Sequence, residues 1–564
     1  MSEWVRRSDA LAQSVVTLMA LAAPEQASNM GLSSADGATT DLRSGWRERI
    51  ATAASAARTA LDAALRDEAE PRLREDIAIM HARIDDIVDG IAVHDAYLVT
   101  LVDVPKLAFL GLRVLLGTQN PPERKALALA RLRRYAGTDG GEPLAVSAER
   151  ETRERLAVDG LTGPYDVEVR TMLALHPVLV AGLGEMLRGS GLHGWEDALA
   201  AFAAQCDAYA RFVEREVLPR ARTDHRLPPA AYAFALRHVG VDIAPRELAR
   251  RAHEAFDAIA AEMQALAPRV AVELGIDAHD YRDVIRALKA RQIRGDADAI
   301  RAFYEARLAE IETIVRRERL VTLPARPARI RIASLAESAE LPVAHMSPPP
   351  LVGNTGQVGE FVLPLDVPPA AGSDGTERAD DFTHDAVTWT LTAHEARPGH
   401  EVQFDRMLEG ELSLARAVFA FNSVNVEGWA LYAEEIVLPF MPLAAQLCSL
   451  LMRLHRAARA FLDPELQSGE RTPAEAQAFL EREIVYSPTF ARSEVERYTF
   501  RAPGQATSYF YGYTKLVALR AATEAALGAR FDACAFHDFI LDQGLLPPDA
   551  LGAAVRERFV TAGS

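Results

Sequence analysis

Residues 392–403 read Thr-Ala-His-Glu-Ala-Arg-Pro-Gly-His-Glu-Val-Gln, and the rest of the chain is expected to fold around this stretch. His394 is followed directly by Glu395, and a second histidine, His400, comes six residues after the first. Zinc is bound by imidazole nitrogens and carboxylate oxygens, and a catalytic zinc keeps one position open for water. A carboxylate beside the first histidine can act as general base for that water. The stretch therefore predicts a hydrolytic zinc centre.

The spacing of the two histidines leaves the local backbone open. In a regular helix, six residues rotate a side chain about 120° away from the starting face. A plain helix would therefore present His394 together with Glu401, seven residues on. Pro398 lacks a backbone donor and disfavours helix before it, and Gly399 permits unusual dihedral angles. A bulge or break at this pair would instead bring His400 back towards His394.

A second acidic stretch supplies candidates for the third metal ligand. Residues 427–434 read Glu-Gly-Trp-Ala-Leu-Tyr-Ala-Glu, and another glutamate follows. Glu427 and Glu434 are seven residues apart, so they share one face of a helix. One of them can bind the metal while the other holds a ligand imidazole. The residues alone leave Glu427, Glu434 and Glu435 as alternatives.

Four motifs together resemble a known bacterial family, domain of unknown function 885, which is placed among the gluzincin-like metallopeptidases. Thimet oligopeptidase and angiotensin-converting enzyme are its distant relatives. The matching stretches, in family order, are Pro24–Gly31 as the PEQASNMG entry motif, residues 394–403 as HExxPGHxxQ, Glu427–Glu434 as the EGWALY-type helix, and Arg497-Tyr498 with Pro503–Tyr509 as the RY…PGQAxxY block. Glu401 is a departure, because many relatives have a histidine at that position.

The resemblance implies roles for particular residues. It implies zinc, bound by His394, His400 and Glu427, with Glu395 as the general base. It also favours Tyr509 as the hydroxyl donor that stabilises the oxyanion formed when water adds to an amide carbonyl.

Two roles are open for the Arg497 side chain. Its planar guanidinium fits a substrate carboxylate, which makes it a candidate catalytic-site residue, and a structural salt bridge is equally compatible with its position.

The fold is predicted to be mainly α, because long segments repeat their apolar residues with helical period. Such segments include 43–66, 70–90, 167–188, 245–266 and 384–408. Thr472-Pro473-Ala474-Glu475 is a capping box that predicts a further helix start. Alternating residues at 330–332 and 361–363 predict short strands just before the zinc motif, a small β element beside the active-site helix.

The pair Pro228-Pro229 marks the predicted internal boundary. It separates an N-terminal helical half, residues 1–227, from a catalytic half, residues 228–564, which we expect to form one integrated fold. In the helical metallopeptidases that the chain resembles, such N-terminal bulk forms the opposite wall of a deep channel. We therefore expect a deep central cleft lined on one side by residues 350–363, with Tyr509 and Arg497 facing the metal.

Composition limits the partners and the compartment. The 564 residues carry a formal net charge of −17, which argues against a general nucleic-acid binder. The three cysteines, Cys206, Cys448 and Cys534, lie far apart and form no CxxC pair, so a reducing compartment, the cytoplasm, is expected. The apolar run 15–23 imitates a signal peptide, but acidic residues precede it, and we expect an amphipathic first helix instead.

These observations predict a zinc metallopeptidase that acts on short peptides or another small amide. No nucleic-acid or membrane partner is expected. Two other functions stay open: a metal-binding or peptide-binding protein without catalysis, and a hydrolase of a non-peptide amide or ester.

Overall fold

The computed structural model describes residues 2–368, 376–378 and 380–561, and these residues form a mainly α fold, as predicted. The α-helices, numbered along the chain, are α1 (Glu3–Ala22), α2 (Pro24–Asn29), α3 (Trp46–Leu65), α4 (Pro71–Tyr97), α5 (Val104–Leu116), α6 (Pro122–Ala136), α7 (Leu144–Leu156), α8 (Asp166–Gly189), α9 (Glu196–Phe212), α10 (Pro229–His238), α11 (Pro245–Leu274), α12 (Tyr281–Lys289), α13 (Ala297–Arg317), α14 (Leu335–Glu340), α15 (Asp385–Leu391), α16 (His400–Glu409), α17 (Ser423–Val437), α18 (Leu443–Ser468), α19 (Pro473–Phe479), α20 (Pro488–Glu496), α21 (Ser508–Leu527), α22 (Ala533–Leu541) and α23 (Pro548–Ala554).

Most predicted helix starts fall within a few residues of the observed ones. The start of α19 is the clearest case, because both halves of its capping box form. The Thr472 hydroxyl oxygen accepts from the backbone N–H of Glu475 at 3.3 Å, and the Glu475 carboxylate accepts from the backbone N–H of Thr472 at 2.9 Å. Pro473 occupies the first helical turn, where its missing N–H costs nothing. The local sequence alone fixes this helix start.

A small sheet of three strands lies beside the zinc motif. Its strands are β1 (Arg329–Ile332), β2 (His345–Ser347) and β3 (Glu360–Leu363), and a separate pair is formed by β4 (Asp366–Val367) and β5 (Glu377–Arg378). The strand order is β1-β3-β2, with β1 parallel and β2 antiparallel to the central strand. Both predicted strands are confirmed. The edge strand β2 was not predicted, since its three residues are too short a run to show alternation.

The chain begins with the expected amphipathic helix. One face of α1, which includes Val15, Leu18 and Met19, is buried. These side chains belong to a core that also contains Trp429 of α17 and Phe536 of α22. The first helices therefore pack directly against the part of the chain that carries the zinc motif. The predicted division at residue 228 stays a prediction.

One described helix, α8, is long and apolar enough to cross a membrane by length and composition alone. Leu179, Leu183 and Leu187 of this helix are buried in a core with Phe109 and Phe202. The core helix of a folded domain passes the same test, and the packing of α8 favours that interpretation.

Candidate metal centre

The helix that carries His394 is broken before His400. Residues Thr392–Ala396 form a wide π-type turn, Arg397 is extended, and a new helix, α16, begins at His400. The peptide bond between Arg397 and Pro398 is cis. The indole N–H of Trp429 lies 3.1 Å from the carbonyl oxygen of Pro398 and 3.2 Å from that of Gly399, and donates to both. The broken-helix alternative is therefore the one that the structure adopts.

Gly399 is required at the break because no side chain fits there. A Cβ atom at this position would lie 1.9 Å from the carbonyl oxygen of His394 and 2.4 Å from that of Ala393. The backbone folds back on itself at this point, and the fold brings the two histidine rings to a centroid distance of 4.9 Å.

The two imidazoles converge on one carboxylate oxygen. The distance from Glu427 Oε2 to His394 Nε2 is 3.5 Å, and to His400 Nε2 it is 3.3 Å. One ligand atom from each of the three residues lies within 4.8 Å of the others. This is the set that the sequence predicted.

The residues fit a bound zinc ion. Glu427 Oε2 is buried yet accepts no hydrogen bond from any described residue. An unpaired buried carboxylate oxygen is costly, and a cation between it and the two imidazoles would satisfy all three groups. Ligand atoms about 2.0–2.2 Å from a tetrahedral zinc lie about 3.3–3.6 Å apart, which agrees with both measured distances. Two nitrogens and one carboxylate oxygen also leave a position for water.

Glu401 does not compete for this site. Its carboxylate accepts two hydrogen bonds from the Arg397 guanidinium, both at 2.7 Å. Arg397 also donates to Glu312 at 2.7 Å. The plain-helix alternative, in which Glu401 replaced His400, is therefore wrong. The break in the helix directs the Glu401 side chain to Arg397, where it is part of a buried ion-pair network.

Glu434 holds the imidazole of His394 and is not part of the candidate ligand set. His394 Nδ1 donates to its carboxylate at 2.7 Å, and the Thr390 hydroxyl donates to the other oxygen at 2.5 Å. A carboxylate in this position fixes the imidazole tautomer with the proton on Nδ1, so that Nε2 is free to bind a metal. Glu435 points elsewhere, to the Tyr513 hydroxyl and to Arg453 at 3.5 Å. Among the three candidates, Glu427 is thus the one placed to bind the metal.

Glu395 lies inside the same enclosure, 4.0 Å from His394 Nε2. Burial raises the pKa of its carboxyl group, and the neighbouring His394 and His400 oppose that shift. For Glu427, burial also favours the neutral form, but the two imidazoles hold its pKa well below the usual range. The carboxylates thus differ in character: Glu427 stays ionised, and Glu395 is the better proton acceptor.

Tyr509 reaches the site from α21, with its ring stacked 6.2 Å from the His394 ring. Arg497 donates to its hydroxyl oxygen at 3.0 Å. Burial raises the pKa of Tyr509 although Arg497 lowers it, so the phenol stays protonated. Because Arg497 occupies a lone pair of this oxygen, the O–H proton remains available to another acceptor.

Two glycines set the distance of Tyr509 from the candidate metal ligands. A Cβ at Gly428 of α17 would lie 2.6 Å from the backbone of Gly512 in α21, and a Cβ at Gly512 would lie 1.9 Å from the carbonyl oxygen of Val424. The backbones of α17 and α21 therefore touch at this crossing. Glu427 and Tyr509 lie one and three residues from it, which places both side chains at one site.

Comparison with known proteins identifies the family to which the chain belongs. Residues 24–555 match the model of a family described as "Bacterial protein of unknown function (DUF885)". The chain belongs to this family. No curated protein matches it.

Two solved structures are similar to this DUF885 chain along its whole length. One is described as "the putative lipoprotein from Colwellia psychrerythraea", with a TM-score of 0.78, 18% identity, and 98% of this chain and 99% of that chain covered. The other is "a putative lipoprotein of unknown function from Shewanella oneidensis", with a TM-score of 0.73, 18% identity, and 99% and 100% covered. At this identity the likeness shows the fold alone.

Arg497 is engaged by its neighbours in this DUF885 member. Besides Tyr509, it donates to the Gln505 side chain through Nε at 3.0 Å, and it lies 3.7 Å from Glu494. Arg459 in turn holds Glu494 through two hydrogen bonds of 2.7 Å. Arg497 is therefore placed to hold the Tyr509 hydroxyl. Its role towards a substrate carboxylate stays a prediction, because its side chain also lines the cavity at the site. Sequence reasoning did not find Arg459 or Glu494, because neither belongs to a recognisable motif.

Two of the three candidate ligands, His400 and Glu427, line a cavity of about 420 Å³, which we name cavity A. Its walls include Glu395, His400, Glu427 and Tyr509, together with Lys106 from the N-terminal half. The lining also includes residues 340–346 and 348, most of strand β2 among them. A cavity with lining residues from before and after residue 228 is therefore present at the site, as expected. Its expected lining by residues 350–363 is wrong for this cavity, because β3 is the central strand and it is the edge strand β2 that borders the cavity.

A second cavity of about 440 Å³, cavity B, continues from cavity A. Both are lined by Phe421, Val426, Glu427, Ala502 and Gln505. Phe421 is 43% exposed, which is unusual for a phenylalanine and places its ring in the cleft where the two cavities meet. The cleft therefore runs on past Glu427, with cavity A and cavity B meeting beside it.

Proposed function

We propose that this protein is a zinc-dependent metallohydrolase, and more specifically a peptidase that cleaves short peptides. A single observation carries the proposal. The imidazoles of His394 and His400 converge on Glu427 Oε2, a buried carboxylate oxygen that is otherwise unpaired among the described residues. Glu395 beside the first ligand and a helical Glu as third ligand also support a relation to the gluzincins. Zinc is the favoured metal because the donor set is two imidazoles and one carboxylate.

Each residue of the site has a distinct role in the proposed reaction. A zinc ion bound here would supply a Lewis acid and lower the pKa of a water molecule. Glu395 would accept the proton of the attacking water and then deliver it to the leaving amine, for which a pKa raised by burial suits it. Tyr509, held by Arg497 with its proton free, would donate to the oxyanion that develops on the scissile carbonyl.

The shape of the cleft favours short, extended substrates. Strand β2 is at the edge of its sheet and lines cavity A, so its outer backbone groups are placed to pair with a peptide backbone. The cleft is walled by helices of both halves, and a folded protein would not reach ligand side chains that are 2–14% exposed. We therefore expect cleavage of unstructured oligopeptides and little cleavage of native, folded albumin.

The test is a comparison of the wild-type chain with Glu395→Gln, purified without added zinc and assayed for metal content and for peptide cleavage. We expect about one zinc per chain in both proteins, and loss of cleavage by about 10²–10⁴-fold in the variant. Glu470→Gln, an exposed position outside the cleft, is the control for a glutamate-to-glutamine change.

Absence of zinc from the wild type, or wild-type turnover in Glu395→Gln, would contradict the proposal. Zinc with no cleavage of any peptide, amide or ester would favour the non-catalytic alternative, and cleavage of amides or esters but not peptides would favour the other one.

The cytoplasmic location is a separate proposal. It rests on Cys206 and Cys448, which are buried and unpaired, and on Cys534, which is also a free thiol. Both solved relatives are described as lipoproteins, so fractionation of the native host is the direct test.

A further inference from the structure

A third cavity extends the cleft away from the metal ligands. Cavity C, of about 350 Å³, shares Gln26, Arg83, Phe234 and His238 with cavity B. Gln26 belongs to the PEQASNMG motif, whose role the zinc centre leaves unexplained. Arg83, on α4, therefore lies at the neck between two connected spaces, on a path that leads to Glu427.

The Arg83 guanidinium is only partly paired. It is 13% exposed and makes one hydrogen bond to the described residues, from Nη1 to Asp86 at 2.9 Å. Its Nε is buried and has no partner among those residues. Arg131 and Arg456 also have a buried Nε without a partner among the described residues, but only Arg83 of these three lines cavities B and C. A guanidinium with spare donors in a cavity is a ready binding site for an anion.

The counter-ion of Arg83 is shared with another group. Asp86 presents one oxygen to Arg83 and the other to His238 Nδ1, at 2.7 Å. Asp86 therefore cannot bind Arg83 in a bidentate manner. Burial lowers the pKa of the Arg83 guanidinium even though Asp86 opposes the shift. The remaining acidic group of cavity C, Asp41, is held by Arg43 and Arg49, both at 2.8 Å.

We propose that the neck between cavities B and C is a subsite for a carboxylate of the substrate, bound by the spare donors of Arg83 and by the exposed amide of Gln26. The inference rests on the proposed function, because it assumes that a peptide occupies the cleft. Phe234 and Phe421 flank the path from this subsite to Glu427 and supply apolar walls for the intervening side chains.

The carboxylate has two sources in a peptide: the C-terminus, or an aspartate or glutamate side chain. Binding is therefore measured by calorimetry on the zinc-loaded full chain carrying Glu395→Gln, which separates affinity from cleavage. The probes are alanine peptides of two to five residues with a free C-terminus, the same peptides as amides, and amides with one alanine replaced by glutamate. A charge-assisted hydrogen-bond pair predicts about 10- to 100-fold tighter binding of the carboxylate than of the amide.

Variants on one helix identify the residue responsible. Arg83→Met should abolish the preference for the carboxylate, whereas Arg72→Met, an exposed position of the same helix, should retain it. Asp86→Asn removes the competing carboxylate and should strengthen peptide binding, an effect that misfolding cannot imitate. Recovery of the preference by the glutamate peptides would assign the subsite to an acidic side chain, and its restriction to free C-termini would assign it to the terminus.

Equal binding of carboxylate and amide peptides, or no binding of either, would overturn the subsite. Either result leaves the proposed function to be judged separately, by cleavage of the same peptides with the wild-type chain. A preference that survives Arg83→Met would also reject the assignment of Arg83.

Discussion

Gly399→Ala should disable the metal centre without touching any ligand side chain. The added Cβ would lie 1.9 Å from the carbonyl oxygen of His394, where real contacts are not shorter than 3.0 Å. The overlap is with backbone, so no side chain can rotate out of the way. The chain must open by about 1.1 Å at the break, and either His394 or His400 moves with it.

The size of the effect follows from this displacement. Forcing one methyl group into a packed interior costs about 1–3 kcal/mol when neighbours can relax. A displacement of about 1 Å at a reacting centre costs about 10²-fold in rate. Loss of an orienting contact to a ligand weakens metal binding by about 10- to 100-fold. We therefore expect zinc affinity to fall at least 10-fold and kcat/KM at least 100-fold, while the helical content stays that of the wild type.

The assay is zinc titration against a competing chelator, together with kcat/KM for one peptide and a far-UV circular dichroism spectrum. Gly189→Ala is the matched control, since Gly189 ends α8 and a Cβ there meets no atom within 4 Å. The control should be neutral or slightly stabilising. Wild-type zinc affinity in Gly399→Ala would refute the reasoning, because it would mean that the break relaxes without moving either histidine.

Three further predictions concern single residues. His400→Ala should lose most of its zinc, whereas Glu401→Gln should keep it, because Glu401 binds Arg397. Metal analysis of the two variants tests this assignment, and equal zinc content would contradict it. Tyr509→Phe should bind zinc normally but lose about 10²-fold in kcat, since one oxyanion donor is removed, and an unchanged kcat would reject this role. Asp463 should make the protein less stable as pH rises from about 4 to about 7. Burial raises the pKa of its carboxyl group to about 7, although hydrogen bonds from its neighbours oppose the shift. In this pH range the native state therefore holds a proton that the unfolded chain has released. Denaturant unfolding of wild type and Asp463→Asn across this range measures the effect, and parallel stability curves would exclude it.

The sequence was sufficient for the helical architecture and for the chemical types of the site. Helical periodicity and the capping box at Thr472 depend on neighbours within one or two turns, so they can be read locally. His394, Glu395 and Glu427 could be named as candidates because metal chemistry restricts the residue types and because their motifs resemble those of a family. The short strand β2 escaped notice, since three residues carry too little pattern.

Only the tertiary structure decided between alternatives that share a local pattern. Glu427 and Glu434 lie on one face of α17, but seven residues separate them by about 10 Å along the axis. Which of them meets the imidazoles depends on the position along α17 at which the broken helix crosses it. That position is set by contacts between residues far apart in the sequence, such as Gly428 and Gly512. Arg83 shows the same limit: its i+3 neighbour Asp86 is visible in the sequence, but its place in the cleft is fixed by helices far away along the chain. Periodicity determines which face a residue occupies, whereas long-range packing determines what that face meets.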